Sequence, residues 1–94
     1  MMAAKRLTLS AALLALLPSA HAGSQAEMAQ SCVAEIHRAE LRIAEARKRP
    51  EYHSDLGRQT LTSADRWVNQ ARRHAAKGES RNCVTAAKKG REQL

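Results

Sequence analysis

The chain has 94 residues, with 16 Lys and Arg against nine Asp and Glu, and it contains one Trp, one Tyr and no Phe. This length allows one small domain, and a domain of this size is marginally stable without a cross-link or a metal. Two aromatic residues cannot form the stacking surface that single-stranded nucleic acid requires, so the composition argues against nucleic acid as a partner.

The first 22 residues have the order of features that is typical of a secretory signal peptide. Lys5 and Arg6 precede the apolar run 7–17, and small residues at the end of the segment allow cleavage after Ala22. The alternative is a membrane anchor, but the run has about 11 residues and a spanning helix needs about 20. We therefore expect residues 1–22 to be a cleaved signal peptide, which leaves no membrane span and predicts a periplasmic or secreted protein.

The predicted mature domain, residues 23–94, has 72 residues (94 − 22), and its net charge is +5 because 14 basic residues (16 − 2) face nine acidic ones. It contains Cys32 and Cys83, and the signal peptide sends both to an oxidising compartment. We expect an intramolecular disulfide that stabilises the domain by about 4 kcal/mol. Free thiols and an intermolecular bridge are the alternatives.

A first helix is predicted over residues 24–49. Ser24 and Glu27 have the spacing of a capping box, and apolar residues then recur every three or four positions. Pro50 ends this helix, because the residue before a proline disfavours helical dihedral angles.

Two further helices are predicted, at about 57–77 and 80–93. Pro50 and Thr62 both carry helix-start signals, so the second helix can begin anywhere between them. Gly78 ends it, and the serine that follows at position 80 is the expected cap of the third helix.

These elements predict an all-α fold, a small up-down-up bundle of three helices in which the disulfide joins the first helix to the third. The alternative is a helical hairpin with a short third helix clipped to it. Large apolar residues are few, so we expect a thin, alanine-rich core with Trp67 as its largest side chain. An exposed Trp67 would instead be a binding contact.

The sequence contains no nucleophile elbow, phosphate-binding loop, HExxH or CxxC motif, so we expect a non-enzymatic protein. His37 and His74 are on different helices and are offset by about five residues in the expected register, which is too far for a shared metal. We therefore predict no catalytic, cofactor-binding or metal-binding residue.

Basic residues cluster where the first and third helices end, and an up-down-up bundle brings these two ends together. They are candidate anion-binding residues, since basic secreted domains tend to bind anionic surfaces. The alternative is that they only complement helix dipoles and solvate the surface. The candidates are Arg47, Lys48, Arg49, Arg58, Lys88, Lys89 and Arg91.

The stretch from Ala71 to Glu79, with Cys83 and Ala86-Ala87, resembles the alanine–glycine–alanine spacing of tetratricopeptide-type hairpins and of small secreted alanine-rich helical proteins of uncharacterised families. The resemblance covers about a third of the mature chain, contains one repeat unit and implies a helical hairpin over 71–87 without assigning a functional residue. In size, helicity and long-range disulfide the chain is also similar to small periplasmic acid-stress chaperones.

Together these features predict a small helical binding module that contacts an anionic envelope component or a protein partner through its basic ends. The alternative function is a periplasmic stress chaperone or inhibitor that exposes apolar helix faces. The same alanine-rich faces are compatible with self-association.

Overall fold

Three α-helices and no strand make up residues 2–94, the part of the chain that the computed structural model describes, with side chains described for residues 24–94. Helix α1 spans Met2–Arg47, α2 spans Asp55–Ala76 and α3 spans Ser80–Glu92, and a 3-10 helix at Pro50–Tyr52 connects α1 to α2. The all-α prediction is therefore confirmed.

The predicted signal peptide, residues 1–22, lies outside the residues whose side chains are described, and its cleavage stays a prediction. In the described part of the chain, no helix combines the length and the apolarity that crossing a bilayer requires.

Helix α1 does not begin at Ser24, where the capping box predicted its start. It continues on the N-terminal side to Met2, through a segment rich in Ala and Leu, which are strong helix formers. Its end at Arg47 is two residues earlier than predicted, because Arg49 precedes a proline and adopts the extended angles φ −88° and ψ 133°.

Helix α2 begins at Asp55, inside the predicted interval, and the start signal at Thr62 is wrong. Ser54 caps the helix, and its hydroxyl accepts a hydrogen bond from the backbone N–H of Gly57 at 3.0 Å. Thr62 lies within the helix, where its hydroxyl donates to the carbonyl of Arg58 at 3.0 Å.

Gly78 forms the turn between α2 and α3, as predicted. Its φ of 75° lies in the left-handed region that glycine adopts most easily. Its N–H donates to the carbonyl of Ala75 at 3.0 Å, and the N–H of Glu79 donates to the carbonyl of His74 at 2.9 Å. These two bonds form a Schellman motif, which satisfies the last carbonyls of α2.

Glu79, and not Ser80, occupies the N-cap position of α3, so the predicted serine cap is wrong. Ser80 is already helical, and the Glu79 side chain does not cap the helix. Its carboxylate instead accepts a hydrogen bond from Nδ1 of His74 at 2.8 Å. That hydrogen bond is the main reason why the pKa of Glu79 lies below its ordinary value.

Helix α2 runs antiparallel to α1. Arg47, near the end of α1, pairs with Asp65 at 2.8 Å, while Glu40, two turns earlier, pairs with Arg72 at 3.0 Å. Residues near the end of α1 therefore contact residues nearer the start of α2, as an up-down connection requires.

Helix α3 returns parallel to α1 and packs against both other helices, so it is not a tail clipped to a hairpin. The predicted disulfide between Cys32 and Cys83 joins α1 to α3, with 5.5 Å between the two Cα atoms. At the other end of α3, the carbonyl oxygen of Leu94 accepts a hydrogen bond from the hydroxyl of Tyr52, in the 3-10 helix that follows α1.

The core consists of small side chains, as predicted. Trp67 is only half-buried at the edge of the core, so the prediction that it is the largest core side chain is wrong. Nζ of Lys89 lies 4.8 Å from the centre of its ring. The buried apolar residues are Cys32, Ala39, Ile43, Ala46, Ala64, Val68, Ala71, Cys83, Ala86 and Ala87.

Candidate basic binding site

The predicted anion-binding residues lie toward one end of the bundle. Helices α1 and α3 both end there, since the hydroxyl of Tyr52 donates to the carbonyl of Leu94 at 3.1 Å. Helix α2 begins there, and Ser63 in its third turn donates to the side chain of Gln93 at 3.3 Å. The chain thus brings the basic runs of α1 and α3 into proximity.

Five of the seven candidates are engaged by neighbouring side chains: Arg91 by the buried Glu35, and the other four by partners nearer the surface. The partners of these four are exposed or half-buried, and surface ion pairs stabilise by at most about 1 kcal/mol each. Each of these four cations has a local contact, three with carboxylates and one with an aromatic ring. The four contacts are Arg47 with Asp65 at 2.8 Å, Lys48 with Glu45 at 3.4 Å, Arg58 with Asp55 at 2.6 Å and Lys89 with the Trp67 ring at 4.8 Å.

Arg91 and the two candidates without such a partner, Arg49 and Lys88, share a surface with two arginines that lie outside the predicted clusters. The helical repeat places Arg38, Arg42 and Arg49 on one side of α1, and it places Lys88 and Arg91 one turn apart on the adjoining side of α3. We call these five residues the α1–α3 basic face. Within residues 24–94, no carboxylate lies at ion-pair distance from Arg42, Arg49 or Lys88.

Glu35 lies beneath the basic face and joins its two helices. It is 6% exposed, and its Oε1 accepts a hydrogen bond from Nη1 of Arg38 at 2.6 Å. Its Oε2 lies 3.2 Å from Nη1 of Arg91, but this contact is not aligned as a hydrogen bond and acts through charge. Because a buried carboxylate requires such partners, Glu35 holds Arg91 of α3 against α1.

A groove of about 430 Å³ extends the basic face to the end of the bundle. Its two guanidinium groups lie beside apolar side chains, so it can accept an anion that carries an apolar group, with Glu45 as the one carboxylate in the lining. The groove is lined by Leu41, Arg42, Glu45, Ala46, Arg49, Tyr52 and Leu94.

Sequence reasoning missed Glu35, Arg38 and Arg42 because it relied on runs of consecutive basic residues. The available signal was periodicity, since residues 35, 38, 42 and 49 are spaced by three, four and seven positions and recur on one side of a helix. Only the packing of α3 shows that this side of α1 contacts a second basic helix.

Two histidines, His53 and His74, and both cysteines have partners other than a metal. Nε2 of His53 lies 3.0 Å from the carbonyl oxygen of Arg47, His74 bonds to Glu79, and both cysteines are in the disulfide. Among the described side chains, no group of three or more His, Cys, Asp or Glu residues is placed to hold a metal ion.

Replacing Arg91 by methionine is expected to destabilise the bundle by about 2 kcal/mol, because the buried Glu35 carboxylate then keeps one partner. Lys88→Met removes the same charge one turn away and is expected to change stability by less than about 0.5 kcal/mol. Urea unfolding followed by circular dichroism measures both values. In a Glu35→Gln background the Arg91→Met loss should fall by at least half, and an unchanged loss would show that Glu35 does not hold α3.

No known protein family matches the chain, and comparison with curated proteins and with solved structures finds no significant match. The resemblance to tetratricopeptide-type hairpins therefore stays a prediction, and the function has to be argued from the residues of this chain.

Proposed function

We propose that this protein is a non-enzymatic binding module of the periplasm or the extracellular space, which attaches to an anionic envelope component through the α1–α3 basic face. The observation that carries the proposal is the grouping of five basic side chains on two helices, three of them without an ion-pair partner among residues 24–94. The disulfide supports a location outside the cytoplasm, where such bonds persist.

The three unpaired side chains, Arg42, Arg49 and Lys88, contribute most to this attachment. Each is exposed, so its charge can meet a phosphate or a carboxylate without first leaving an internal partner. A Lys or Arg near an anionic membrane surface contributes about 1 kcal/mol, so the three supply about 3 kcal/mol. Attachment of this kind is reversible and weakens as salt concentration rises.

The variant Arg42→Glu/Arg49→Glu/Lys88→Glu is expected to lower binding to anionic vesicles by at least about 100-fold, since about 3 kcal/mol of attraction is lost. Vesicles of equal parts phosphatidylglycerol and phosphatidylcholine, sedimented with the protein at low salt, give the partition coefficient. Soluble polyglutamate in the same buffer distinguishes an acidic polymer from a lipid surface as the source of the anion.

A matched control is Arg66→Glu/Arg73→Glu/Lys77→Glu, which changes the net charge by the same amount on the outward side of α2. All three control residues are exposed and have no ion-pair partner among residues 24–94. Binding should fall by less than about tenfold for this variant, because its charges lie off the basic face. Equal losses for both variants, or binding that salt does not weaken, would contradict the proposal.

The alternative function, a stress chaperone or inhibitor, would use a different surface. Val33 of α1 is 68% exposed and lies off the basic face, whereas Leu41, which is 54% exposed, lines the groove beside Arg42. Suppression of client aggregation that the basic-face variant leaves unchanged would favour this alternative.

A further inference from the structure

The groove that extends the basic face is bounded on two sides by parts of the bundle that are tied together. Helix α1 forms one side, which includes the buried Ala46. Tyr52 and Leu94 form the other side, and the hydroxyl of Tyr52 donates to the carbonyl of Leu94 at 3.1 Å. The side chain of Leu94 also packs against the buried cluster that contains Ile43. The groove is therefore preformed, and its volume of about 430 Å³ is within the range of small-molecule sites, roughly 300–1,000 Å³.

Two positive charges in this groove are not neutralised by the protein. Arg42 and Arg49 are exposed, and neither has a carboxylate of residues 24–94 at ion-pair distance. Glu45 also lines the groove, but its carboxylate pairs with Lys48 at 3.4 Å. The groove thus has two uncompensated guanidinium groups, and charge complementarity favours a doubly charged anion over a singly charged one.

The groove also offers apolar surface next to these charges. Leu41 is 54% exposed, and the side chains of Tyr52 and Leu94 are half-buried, so all three leave apolar atoms open to solvent. An alkyl chain that lies on these side chains removes apolar surface of both partners from water. A free phosphate ion gains none of this, so the groove favours an anion that carries an alkyl chain.

We propose that this groove binds a lipid phosphate, an alkyl monoester of phosphoric acid, with the phosphate held by Arg42 and Arg49 and the chain on Leu41 and Leu94. A phosphate monoester carries a charge of about −1.5 to −2 near neutral pH, and its three terminal oxygens can pair with two guanidinium groups. A phosphodiester carries a single charge and matches one arginine. The inference rests on the proposed function and deepens it, because it names the anion that the basic face holds most tightly.

Octyl phosphate, a soluble lipid phosphate, is the probe for a calorimetric titration below the concentration at which it forms micelles. It is expected to bind at least about tenfold more tightly than inorganic phosphate, which lacks the chain, and than octyl glucoside, which lacks the charge. Methyl octyl phosphate, a diester, should bind at least about threefold more weakly than the monoester. Octyl phosphate that binds no more tightly than inorganic phosphate, or than the diester, would overturn the proposal.

Replacing the two arginines locates the site. Arg42→Gln/Arg49→Gln is expected to weaken octyl phosphate binding at least about tenfold, because it removes both guanidinium groups. Arg66→Gln/Arg73→Gln, the matched control, makes the same change of charge at exposed arginines of α2 and should stay within about twofold. Circular dichroism verifies that both variants fold. Equal losses of binding for the two variants would overturn the groove as the site.

Leu41→Gln tests the apolar contact without a change of charge. It is expected to weaken octyl phosphate binding at least about threefold and to leave inorganic phosphate binding unchanged, since only the alkyl chain contacts this residue. Leu56→Gln, the same substitution at a residue of α2 that is 74% exposed, should leave both unchanged. An affinity for octyl phosphate that Leu41→Gln does not lower would show that the chain lies elsewhere and would overturn the proposal.

The outcome for the groove can be told apart from the outcome for the proposed function. Vesicles of phosphatidylglycerol and phosphatidylcholine present phosphodiesters, so their attachment to the basic face does not require recognition of a monoester. Salt-sensitive vesicle binding together with weak octyl phosphate binding would overturn the inference about the groove alone. Vesicle binding that charge reversal of the basic face leaves unchanged would contradict the proposed function, whatever the affinity for octyl phosphate.

Discussion

Replacing Cys32 and Cys83 together by alanine is expected to lower the free energy of unfolding by about 4 kcal/mol, which is the chain-entropy value for a loop of this length. The loop spans 51 residues and ties α3 to α1. Helix α3 has 13 residues and is too short to be stable alone, and the core offers few large apolar side chains to replace the bond. The melting temperature should fall by more than about 15 °C in circular dichroism.

The matched control for this prediction is wild-type protein whose disulfide has been reduced. Wild-type protein that is unfolded in urea, reduced and then refolded should melt at the temperature of the double alanine variant, because both lack the same cross-link. The alanine variant should melt at one temperature with and without reductant. A reduced wild-type protein that keeps the oxidised melting temperature would contradict a stabilising role for the disulfide.

Gly57→Ala is the second substitution with a large expected effect, a loss of about 3 kcal/mol. A Cβ atom at this position would lie 2.4 Å from Cα of Tyr52 and 2.7 Å from the carbonyl oxygen of Glu51. Both are backbone atoms, so the 3-10 helix has to move away from the first turn of α2. That shift also pulls the Tyr52 hydroxyl from Leu94, at the end of the basic face.

Gly90→Ala is the control for Gly57→Ala, since it makes the same change at the contact of α3 with α2. Its Cβ would lie 3.1 Å from the carbonyl oxygen of Ala64 and 3.2 Å from Cβ of Trp67, which small shifts relieve. Alanine also gains about 1 kcal/mol in helix propensity, so stability should change by less than about 1 kcal/mol. Equal urea midpoints for the two variants would show that the 3-10 helix does not constrain residue 57.

The start of α2 shows where local sequence signals stop being sufficient. Thr62 carries a start signature, yet in the structure its hydroxyl bonds to a carbonyl one turn back, as threonines inside helices do. Ser54 is the actual cap, but Gly57 in the first turn made a helix there look unfavourable. The approach of Tyr52 explains this glycine, and no pattern in the neighbouring residues reveals that approach.

In the candidate site, too, some features can be predicted from the sequence and others are visible only in the structure. The basic runs at the ends of α1 and α3 are visible in the sequence, and so is the expectation that these ends meet. Glu35 looks like one more polar residue of a solvated helix side, because its cross-helix partner Arg91 is 56 positions away. The sequence also does not show that Arg47 and Lys89 turn toward partners on α2.

The all-helical class, three helices with breaks at Pro50 and Gly78 and the pairing of the two cysteines were all predictable from the amino-acid sequence. These features depend on neighbouring residues, on helical periodicity and on there being only two cysteines, so they can be read without knowing the packing. Three other features are visible only in the packed bundle: which basic side chains share a face, how deeply Glu35 is buried and which side of α1 stays open to solvent. These features depend on the rotation and register of each helix against its neighbours, which close contacts between small residues set.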